Sequence, residues 1–249
     1  MIVLPMAGLS HRFTAAGYDR PKYALPLAGR PVFDWALLSF RGAFGHEPLL
    51  FVCRDLPGQQ AFLEERLSAN GVADARILTL QAPTEGQAET VARGLEWAGI
   101  GVDEPVSVFN IDTFRPGLSV PANPGLAGSD GYLETFLGNG THWSFVKPVA
   151  PGSDRAGRVV EKTRISDYCS TGLYYFAKAS LYERAYEREQ AARSSHELFV
   201  APLYQHLITD GCDIRFTVID GSDVFFCGTP AEYQNMQTRE AELISAFGT

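Results

Sequence analysis

The sequence predicts an α/β fold in which a mixed sheet is flanked by helices. In the first half, short apolar runs typical of buried strands alternate with segments of helical periodicity. Strands that are separated by helices pair in parallel through right-handed crossovers. After residue 112, Pro and Gly become frequent over 116–140 and the strand-like runs follow one another directly, which indicates antiparallel pairing. The 249 residues suffice for one large domain or two small ones.

Each element follows from its local pattern. Strands are predicted at 2–5, 49–53, 75–80, 106–111, 131–136, 143–147, 158–161, 173–176, 214–219 and 224–227. Helices are predicted at 32–44, 59–68, 88–95, 179–192, 196–209 and 230–247. The third helix is the clearest, because its apolar residues recur at the i, i+3, i+4, i+7 spacing of one helix face. Thr229-Pro230 is expected to begin the last helix, since Pro is favoured in a first turn.

Composition excludes several classes of protein. The net charge of -8 argues against a nucleic-acid binder, which would carry a basic face. No apolar run approaches the roughly 18 residues of a membrane span. The four cysteines have no metal-binding spacing and are expected to be reduced thiols in a cytoplasmic protein. We therefore expect neither nucleic acid nor a membrane as partner, and a homo-oligomer stays open.

The first strand runs into a loop suited to a nucleotide triphosphate. The loop reads Ala7-Gly8-Leu9-Ser10-His11-Arg12, and Pro21-Lys22 follows. Small residues let backbone N–H groups approach phosphate oxygens. Arg12 offers a planar fork of donors and Lys22 a point charge. The structural alternative is an ordinary turn with a surface arginine.

This stretch resembles the N-terminal signature of the sugar-phosphate nucleotidylyltransferases, Ala-Gly-x-Gly-Ser/Thr-Arg followed by Pro-Lys. Motifs along nearly the whole chain agree in order, and the chain looks most like small bacterial members of the capsule or surface-polysaccharide type. The resemblance implies a Rossmann-like fold of the nucleotide-diphospho-sugar transferase type. It also implies a single domain, with a nucleotide-binding half at 1–115 and an acceptor-binding half at 116–249. Ser10 departs from this pattern, which has its second Gly at that position. If the position needs a positive φ, Ser fits it less well than Gly.

The apolar run 106–111 leads into Asp112. In open α/β sheets, ligands lie at the carboxyl ends of strands, so we expect Asp112 near the phosphate loop. The resemblance implies that Asp112 holds Mg²⁺, the expected cofactor, which favours one or two carboxylates plus substrate phosphates. An Asp that caps a turn is the structural alternative.

A second acidic ligand is missing from its usual place. The family places it in a segment like Trp-x-Asp-x-Gly-Thr-Pro, and here Phe226 occupies the acidic position. Asp220 and Asp223 lie close in sequence and are candidates to compensate. Asp223 would need a bend, because strand residues two apart share a face. The alternatives are a metal held by Asp112 and phosphates alone, or catalysis without a metal.

Two further segments are predicted to contact the substrates. Thr84 with Gln87 fits a capping box, whereas the resemblance implies that polar groups here, such as those of Gln87, read the base. The resemblance also implies that Lys162 contacts the acceptor's phosphate and Glu161 its hydroxyls, although such a pair is often only a solvated strand end. Thr171 and Gly172 match a strand that would line the acceptor pocket.

The implied reaction is nucleotidyl transfer, in which an acceptor phosphate attacks the α-phosphorus of an NTP and pyrophosphate leaves. Positioning and charge neutralisation would carry such catalysis. Ala7 and Gly8 would contact the nucleotide, Arg12 the β- and γ-phosphates and Lys22 the α-phosphate. Two alternatives remain open: a glycosyltransferase that uses a nucleotide sugar, and a non-catalytic nucleotide-binding protein.

Overall fold

The computed structural model describes residues 1–118, 120 and 128–248. Part of the Pro- and Gly-rich stretch at 116–140 lies outside these residues. The strands are β1 (Ile2–Met6), β2 (Pro26–Leu27), β3 (Arg30–Pro31), β4 (Leu49–Arg54), β5 (Ala75–Leu80), β6 (Val106–Phe109), β7 (Thr113–Phe114), β8 (Gly131–Leu137), β9 (Ser144–Pro148), β10 (Ala156–Glu161), β11 (Tyr168–Phe176), β12 (Ile214–Ile219) and β13 (Phe225–Phe226). The helices are α1 (His11–Ala15), α2 (Val32–Leu38), α3 (Gln59–Ala69), α4 (Gln87–Ala98), α5 (Ala179–Ala191), α6 (Leu203–Thr209), α7 (Pro230–Thr238) and α8 (Glu240–Phe247).

A nine-stranded mixed sheet forms the centre of the described part of the chain. Strands β6, β1, β4 and β5 are neighbours and pair in parallel. Strand β11 runs antiparallel to β6, β8 and β9, and β12 runs parallel to β8. The parallel half and the largely antiparallel half meet at the β6–β11 pair, as the change of pattern after residue 112 predicts.

The core lies on both faces of this sheet. All five residues of β1 are buried, as expected for a strand that is covered on two sides. Ile2, Leu4 and Met6 belong to one apolar cluster, whereas Val3 belongs to another. This alternation follows from the period of two along a strand. Helices on both faces therefore hold β1 and the loop that follows it in place.

Two predicted helices are shorter in the structure. The helix predicted at 32–44 ends at Leu38, where Ser39 uses its side chain to donate to the Trp35 carbonyl and to accept from the Arg115 N–H. The chain then tightens into a 3₁₀ turn over Arg41–Ala43. This arrangement points Phe40 into the core, where its ring meets Phe109 at 4.9 Å.

The helix predicted at 196–209 begins only at Leu203. Pro202 precedes it, and a residue before proline is disfavoured in helical conformation. Upstream, the backbone of Leu198 is used by another segment: its N–H donates to the Glu85 carbonyl, and its carbonyl accepts from the Ala88 N–H. Residues 196–202 therefore form an irregular wall beside the start of α4.

The predicted helix at 230–247 is divided at Arg239, whose φ of -115° ends α7 and precedes α8. Its predicted start is confirmed, since the Thr229 hydroxyl caps α7 by accepting from the Glu232 N–H at 3.1 Å.

All four cysteines are free thiols, and Cys53, Cys169 and Cys227 are buried. Burial raises the pKa of the Cys53 thiol to about 11. Within the described residues, no helix is both long and apolar enough to cross a membrane.

Helix α4 packs closely on β4 because Gly94 has no side chain. A Cβ at Gly94 would lie 2.6 Å from Val52 Cγ2 and 3.2 Å from Leu50 Cδ2. We expect Gly94→Ala to lower the free energy of unfolding by about 1–3 kcal/mol through overpacking, although helix propensity alone favours Ala by about 1 kcal/mol. Urea denaturation measures the change. Gly42→Ala, where a Cβ meets nothing within 4 Å, is the control, and a stabilised Gly94→Ala variant would contradict the packing argument.

Candidate active site

A cleft of about 530 Å³ opens at the carboxyl ends of β1 and β6. The loop after β1, the start of α4, the β6–β7 turn, the end of β10, the middle of β11 and the start of α7 form its walls. A pocket of this size accommodates a small-molecule ligand. The location is the one that the parallel half of the sheet predicts.

The structure brings all of the predicted site residues to this one cleft. Its lining includes Ala7, Gly8, Arg12, Lys22, Gln87, Asp112, Glu161, Lys162, Thr171 and Gly172. Their roles toward substrates stay predictions, but their shared location requires elements that are distant in sequence to meet.

The loop after β1 does use a positive φ at the position where Ser replaces Gly. Ser10 has φ +53° and ψ 28°, a left-handed conformation that costs a non-glycine residue about 1–2 kcal/mol. The Ser10 carbonyl accepts from Phe13 N at 2.9 Å and Thr14 N at 3.1 Å, which begins α1. The loop thus makes, with Ser10, a left-handed turn of the kind that glycine favours, and Arg12 extends from it, exposed, at the cleft.

Lys22 and Asp112 form an ion pair across the cleft floor, in which Lys22 Nζ donates to Asp112 Oδ2. Their side chains are 23% and 16% exposed, so solvent and ligands reach both groups. The pair places a cation and a carboxylate together beside the loop after β1. A bound triphosphate offers Lys22 new anionic partners and leaves the carboxylate for a cation.

Neither predicted substitute for the second acidic ligand reaches the cleft. Asp220 accepts from the N–H and hydroxyl of Ser222, both at 2.8 Å, and Asp223 lies on the same turn. Glu232, in the first turn of α7, lines the cleft instead. Sequence reasoning missed it, although Thr229-x-x-Glu232 has the spacing of a capping box, which locates such a side chain near a helix start.

The carboxylates at this point fit a hard divalent cation. A Cβ built on Gly228 would lie 2.8 Å from Asp112 Oδ2 and 3.5 Å from Glu232 Oε2, so both carboxylates border the space that glycine leaves empty. Among the described residues no group of three or more His, Cys, Asp or Glu could hold a metal ion. Mg²⁺ needs only one or two carboxylates when substrate phosphates complete its shell.

The start of α4 differs from the predicted capping box. Gly86 occupies the N-cap position without a side-chain cap, and Thr84 Oγ1 instead contacts Thr90 Oγ1 at 2.7 Å. Gln87 turns toward the cleft and donates from Nε2 to Asn110 Oδ1 at 2.5 Å. Asn110, which sequence reasoning missed, therefore orients the Gln87 amide. The role of Gln87 in base recognition stays a prediction.

The far end of the cleft is formed by β10 and β11. Glu161 accepts a hydrogen bond from the Ser144 hydroxyl, which lies 3.2 Å from the Tyr174 hydroxyl. Burial raises the pKa of the Glu161 carboxyl above its usual range, although the Ser144 hydrogen bond and the nearby Lys162 charge oppose the shift. The carboxylate is thus partly desolvated and ready to accept hydrogen bonds from a ligand.

Lys162 is held in an unusual conformation beside Glu161. Its φ is +53°, and its N–H donates to the Trp143 carbonyl at 2.8 Å. Its Nζ lies 3.8 Å from Glu197 Oε2 and 4.1 Å from the centroid of the Phe199 ring. Both partners belong to the irregular segment 196–202. This segment was predicted to be helical, so the sequence did not indicate that its side chains reach the cleft. Left-handed non-glycine residues are costly and cluster at ligand sites.

Thr171 and Gly172 complete this end. Thr171 Oγ1 lies 3.2 Å from the buried Glu134 Oε1, which is also bound by Arg115 Nε at 3.1 Å. Gly172 has φ +95°, and a Cβ there would lie 2.4 Å from Asn110 Nδ2. The approach of β11 to the residue after β6 thus requires glycine.

Comparison with known proteins identifies relatives of this chain. No protein-family model matches the chain. The chain is 30% identical over 217 residues to the 2-C-methyl-D-erythritol 4-phosphate cytidylyltransferase of Cereibacter sphaeroides, an alignment that covers 83% of this chain and 87% of that protein. The structure of a nucleoside-diphosphate-sugar pyrophosphorylase from Vibrio cholerae RC9 is similar with a TM-score of 0.88 and 42% identity, covering 96% of this chain and 100% of that one.

A more distant structure shows the likeness of fold alone. The inositol-1-phosphate CTP transferase from T. maritima has a TM-score of 0.74 at 13% identity, covering 98% of this chain and 95% of that one. The predicted fold class, a Rossmann-like mixed sheet of the nucleotide-diphospho-sugar transferase type, is confirmed.

The raised pKa of Glu161 predicts a pH-dependent stability. Because the folded state disfavours its charged form, Glu161 lowers stability above its folded pKa, and this cost vanishes below the ordinary pKa of glutamate. We therefore expect Glu161→Gln to raise the unfolding midpoint at pH 8, and the gain to shrink as the pH falls to about 4. Thermal unfolding across this range measures it. Glu187→Gln, on the exposed side of α5, is the control, and a gain that persists unchanged at low pH would contradict the assignment.

Proposed function

Because the chain belongs to the nucleotidyltransferase family of its Cereibacter and Vibrio relatives, we propose that it joins an NTP to a phosphorylated small molecule and releases pyrophosphate. The observation that carries this proposal is the composition of the cleft. One end combines the β1 loop, Arg12, Lys22 and Asp112, and the other combines Glu161 and Lys162. A triphosphate and a phosphorylated acceptor need such groups at opposite ends of one site.

In the proposed reaction, a phosphate oxygen of the acceptor attacks the α-phosphorus of the NTP. The bond from the α-phosphorus to the bridging oxygen breaks, and pyrophosphate leaves with that electron pair. Arg12 and Lys22 neutralise the charge that accumulates on the phosphates, which is where such catalysis gains most of its rate. Asp112 would hold Mg²⁺, which when bound supplies further neutralisation of the phosphate oxygens.

The other end of the cleft would position the attacking group. Lys162 offers its ammonium to the acceptor phosphate, and Glu161 accepts hydrogen bonds from acceptor hydroxyls. Thr171 and Gly172 shape the wall behind them. Residues 1–115 would thus bind the nucleotide and 116–249 the acceptor. Holding both reactants in line converts a bimolecular reaction into one within a complex.

The relatives' names support a proposal for the acceptor class. These name a methylerythritol phosphate, an inositol phosphate and a nucleoside-diphosphate sugar. We propose a phosphorylated sugar or polyol as acceptor here, because Glu161 offers a carboxylate to hydroxyls and Lys162 a charge to phosphate. The use of the product for surface polysaccharide, and the cytoplasmic location, stay predictions from the family resemblance.

Pyrophosphate release tests the proposal. The full chain is incubated with Mg²⁺, each of ATP, CTP, GTP, UTP and dTTP, and a panel of sugar and polyol phosphates. We expect acceptor-dependent release with a preferred nucleotide. Lys22→Ala should lower the rate by about 10²–10³-fold, the usual effect of removing one preorganised donor to a developing charge.

The matched control is Lys178→Ala, which removes an exposed lysine paired with Asp103, outside the cleft, and should leave the rate unchanged. No release from any pair, together with binding of a nucleotide sugar, would favour the glycosyltransferase alternative. Nucleotide binding without turnover on any acceptor would favour a non-catalytic binder. Equal effects of the two lysine variants would contradict the role of Lys22.

A further inference from the structure

We propose that Glu232 is the second carboxylate for the divalent cation, replacing the acidic residue that Phe226 has displaced. This inference rests on the proposed function. Phe226 itself cannot serve, because its side chain has no ligand atom. Its ring packs at 5.1 Å from Phe136 and 4.6 Å from Trp143 in an aromatic cluster. The acidic group must therefore come from another element if two carboxylates bind the ion.

The start of α7 supplies it. Glu232 lies in the first turn of this helix, and its side chain is 26% exposed to the cleft solvent. The Gly228 N–H donates to Glu232 Oε2 at 2.9 Å and so orients the carboxylate back toward the β13–α7 turn. That turn runs directly beside Asp112, whose carbonyl accepts from the Cys227 N–H at 2.8 Å.

The space beside Gly228 shows that the carboxylates of Asp112 and Glu232 lie near each other. A Cβ at this position would lie 2.8 Å from Asp112 Oδ2 and 3.5 Å from Glu232 Oε2. A single point outside the backbone is therefore near an oxygen of each carboxylate. Mg²⁺ binds oxygens at about 2.0–2.1 Å, so an ion shared by the two carboxylates would draw both of them toward the space beside Gly228.

The charges at this point also favour a cation. Asp112 is paired with Lys22, whereas the ion-pair partner found for Glu232 in the described part of the chain is His142, at 4.0 Å and charged only if protonated. When Lys22 moves onto the nucleotide phosphates, two carboxylates face those phosphates without a full counter-charge. A divalent cation between them removes this repulsion and binds both sides.

A purely structural role for Glu232 is the competing explanation. Glu232 N donates to Thr229 Oγ1 at 3.1 Å, and its side chain accepts from Gly228, an arrangement close to a capping box. The cap needs an acceptor oxygen, whereas the metal site needs a negative charge. Glu232→Gln keeps the acceptor and removes the charge, so it separates the two roles.

Direct binding of Mn²⁺ provides a readout that does not depend on turnover. Free Mn²⁺ is followed by electron paramagnetic resonance as it is titrated into the full chain in the presence of each NTP. We expect Glu232→Gln to raise the Kd for Mn²⁺ at least about tenfold, the lower end for disturbing a metal site, with an unchanged unfolding midpoint. Asp112→Asn should weaken binding at least as much.

Glu240→Gln is the matched control, because Glu240 Oε1 also accepts from a backbone N–H, that of Ala28 at 2.9 Å, but lies outside the cleft. It should leave the Kd unchanged. If Glu232→Gln lowers the unfolding midpoint, Glu232→Asp decides: it keeps the charge, so a folded Glu232→Asp that binds Mn²⁺ more tightly than Glu232→Gln supports the proposal.

Wild-type Mn²⁺ affinity in Glu232→Gln, alongside weakened binding in Asp112→Asn, would overturn the inference while the proposed function stands. The ion would then be held by Asp112 and the phosphates alone. The proposed function fails separately, if the wild-type chain releases no pyrophosphate with any nucleotide and acceptor. Equal Mn²⁺ affinities for Glu232→Gln and Glu232→Asp would identify Glu232 as a cap only.

Discussion

The parallel pairing of β1 with β6 is the constraint on which the site depends. Ile2 lies opposite Ser107 and Val3 opposite Val108, so the two strands end at the same edge of the sheet. The loop that carries Arg12 leaves one strand there, and Asp112 follows the other. Burial of the whole of β1 holds this register, since a slip of one residue would move each apolar side chain to the opposite face.

The walls of the cleft approach one another most closely at glycine residues. Gly86 lets α4 approach Leu198, where a Cβ would lie 2.4 Å from the Leu198 carbonyl oxygen. Gly172 lets β11 approach Asn110, and Gly228 lets the β13–α7 turn approach Asp112. These close contacts bring backbone and polar groups from five segments to one ligand-sized space. Glycine is required at each contact by the neighbouring atoms, and at Gly86 and Gly172 also by their positive φ.

Phe226 makes one wall of the cleft aromatic at the position where an acidic side chain is expected. Its packing with Phe136 and Trp143 stabilises this wall of the cleft through ring contacts of a kind worth about 0.5–1.5 kcal/mol each. In the proposed site, Glu232 in the first turn of α7 supplies the charge that an acidic residue would place there. With Glu232 as the second carboxylate, the proposed site would keep its negative charge although the wall at Phe226 is apolar.

The sequence by itself determined most strands, most helices, the loop after β1 and the position of Asp112 after a buried strand, because periodicity and turn chemistry are local properties. Tertiary structure alone decided that Glu232, Asn110, Glu197 and Phe199 join the cleft and that Asp220 and Asp223 do not. These side chains reach the site through backbone contacts between distant segments, such as that of Leu198 with Glu85 and Ala88. No local pattern encodes such a contact, since the same spacing at Thr229 and Glu232 specifies a helix cap whatever lies opposite it.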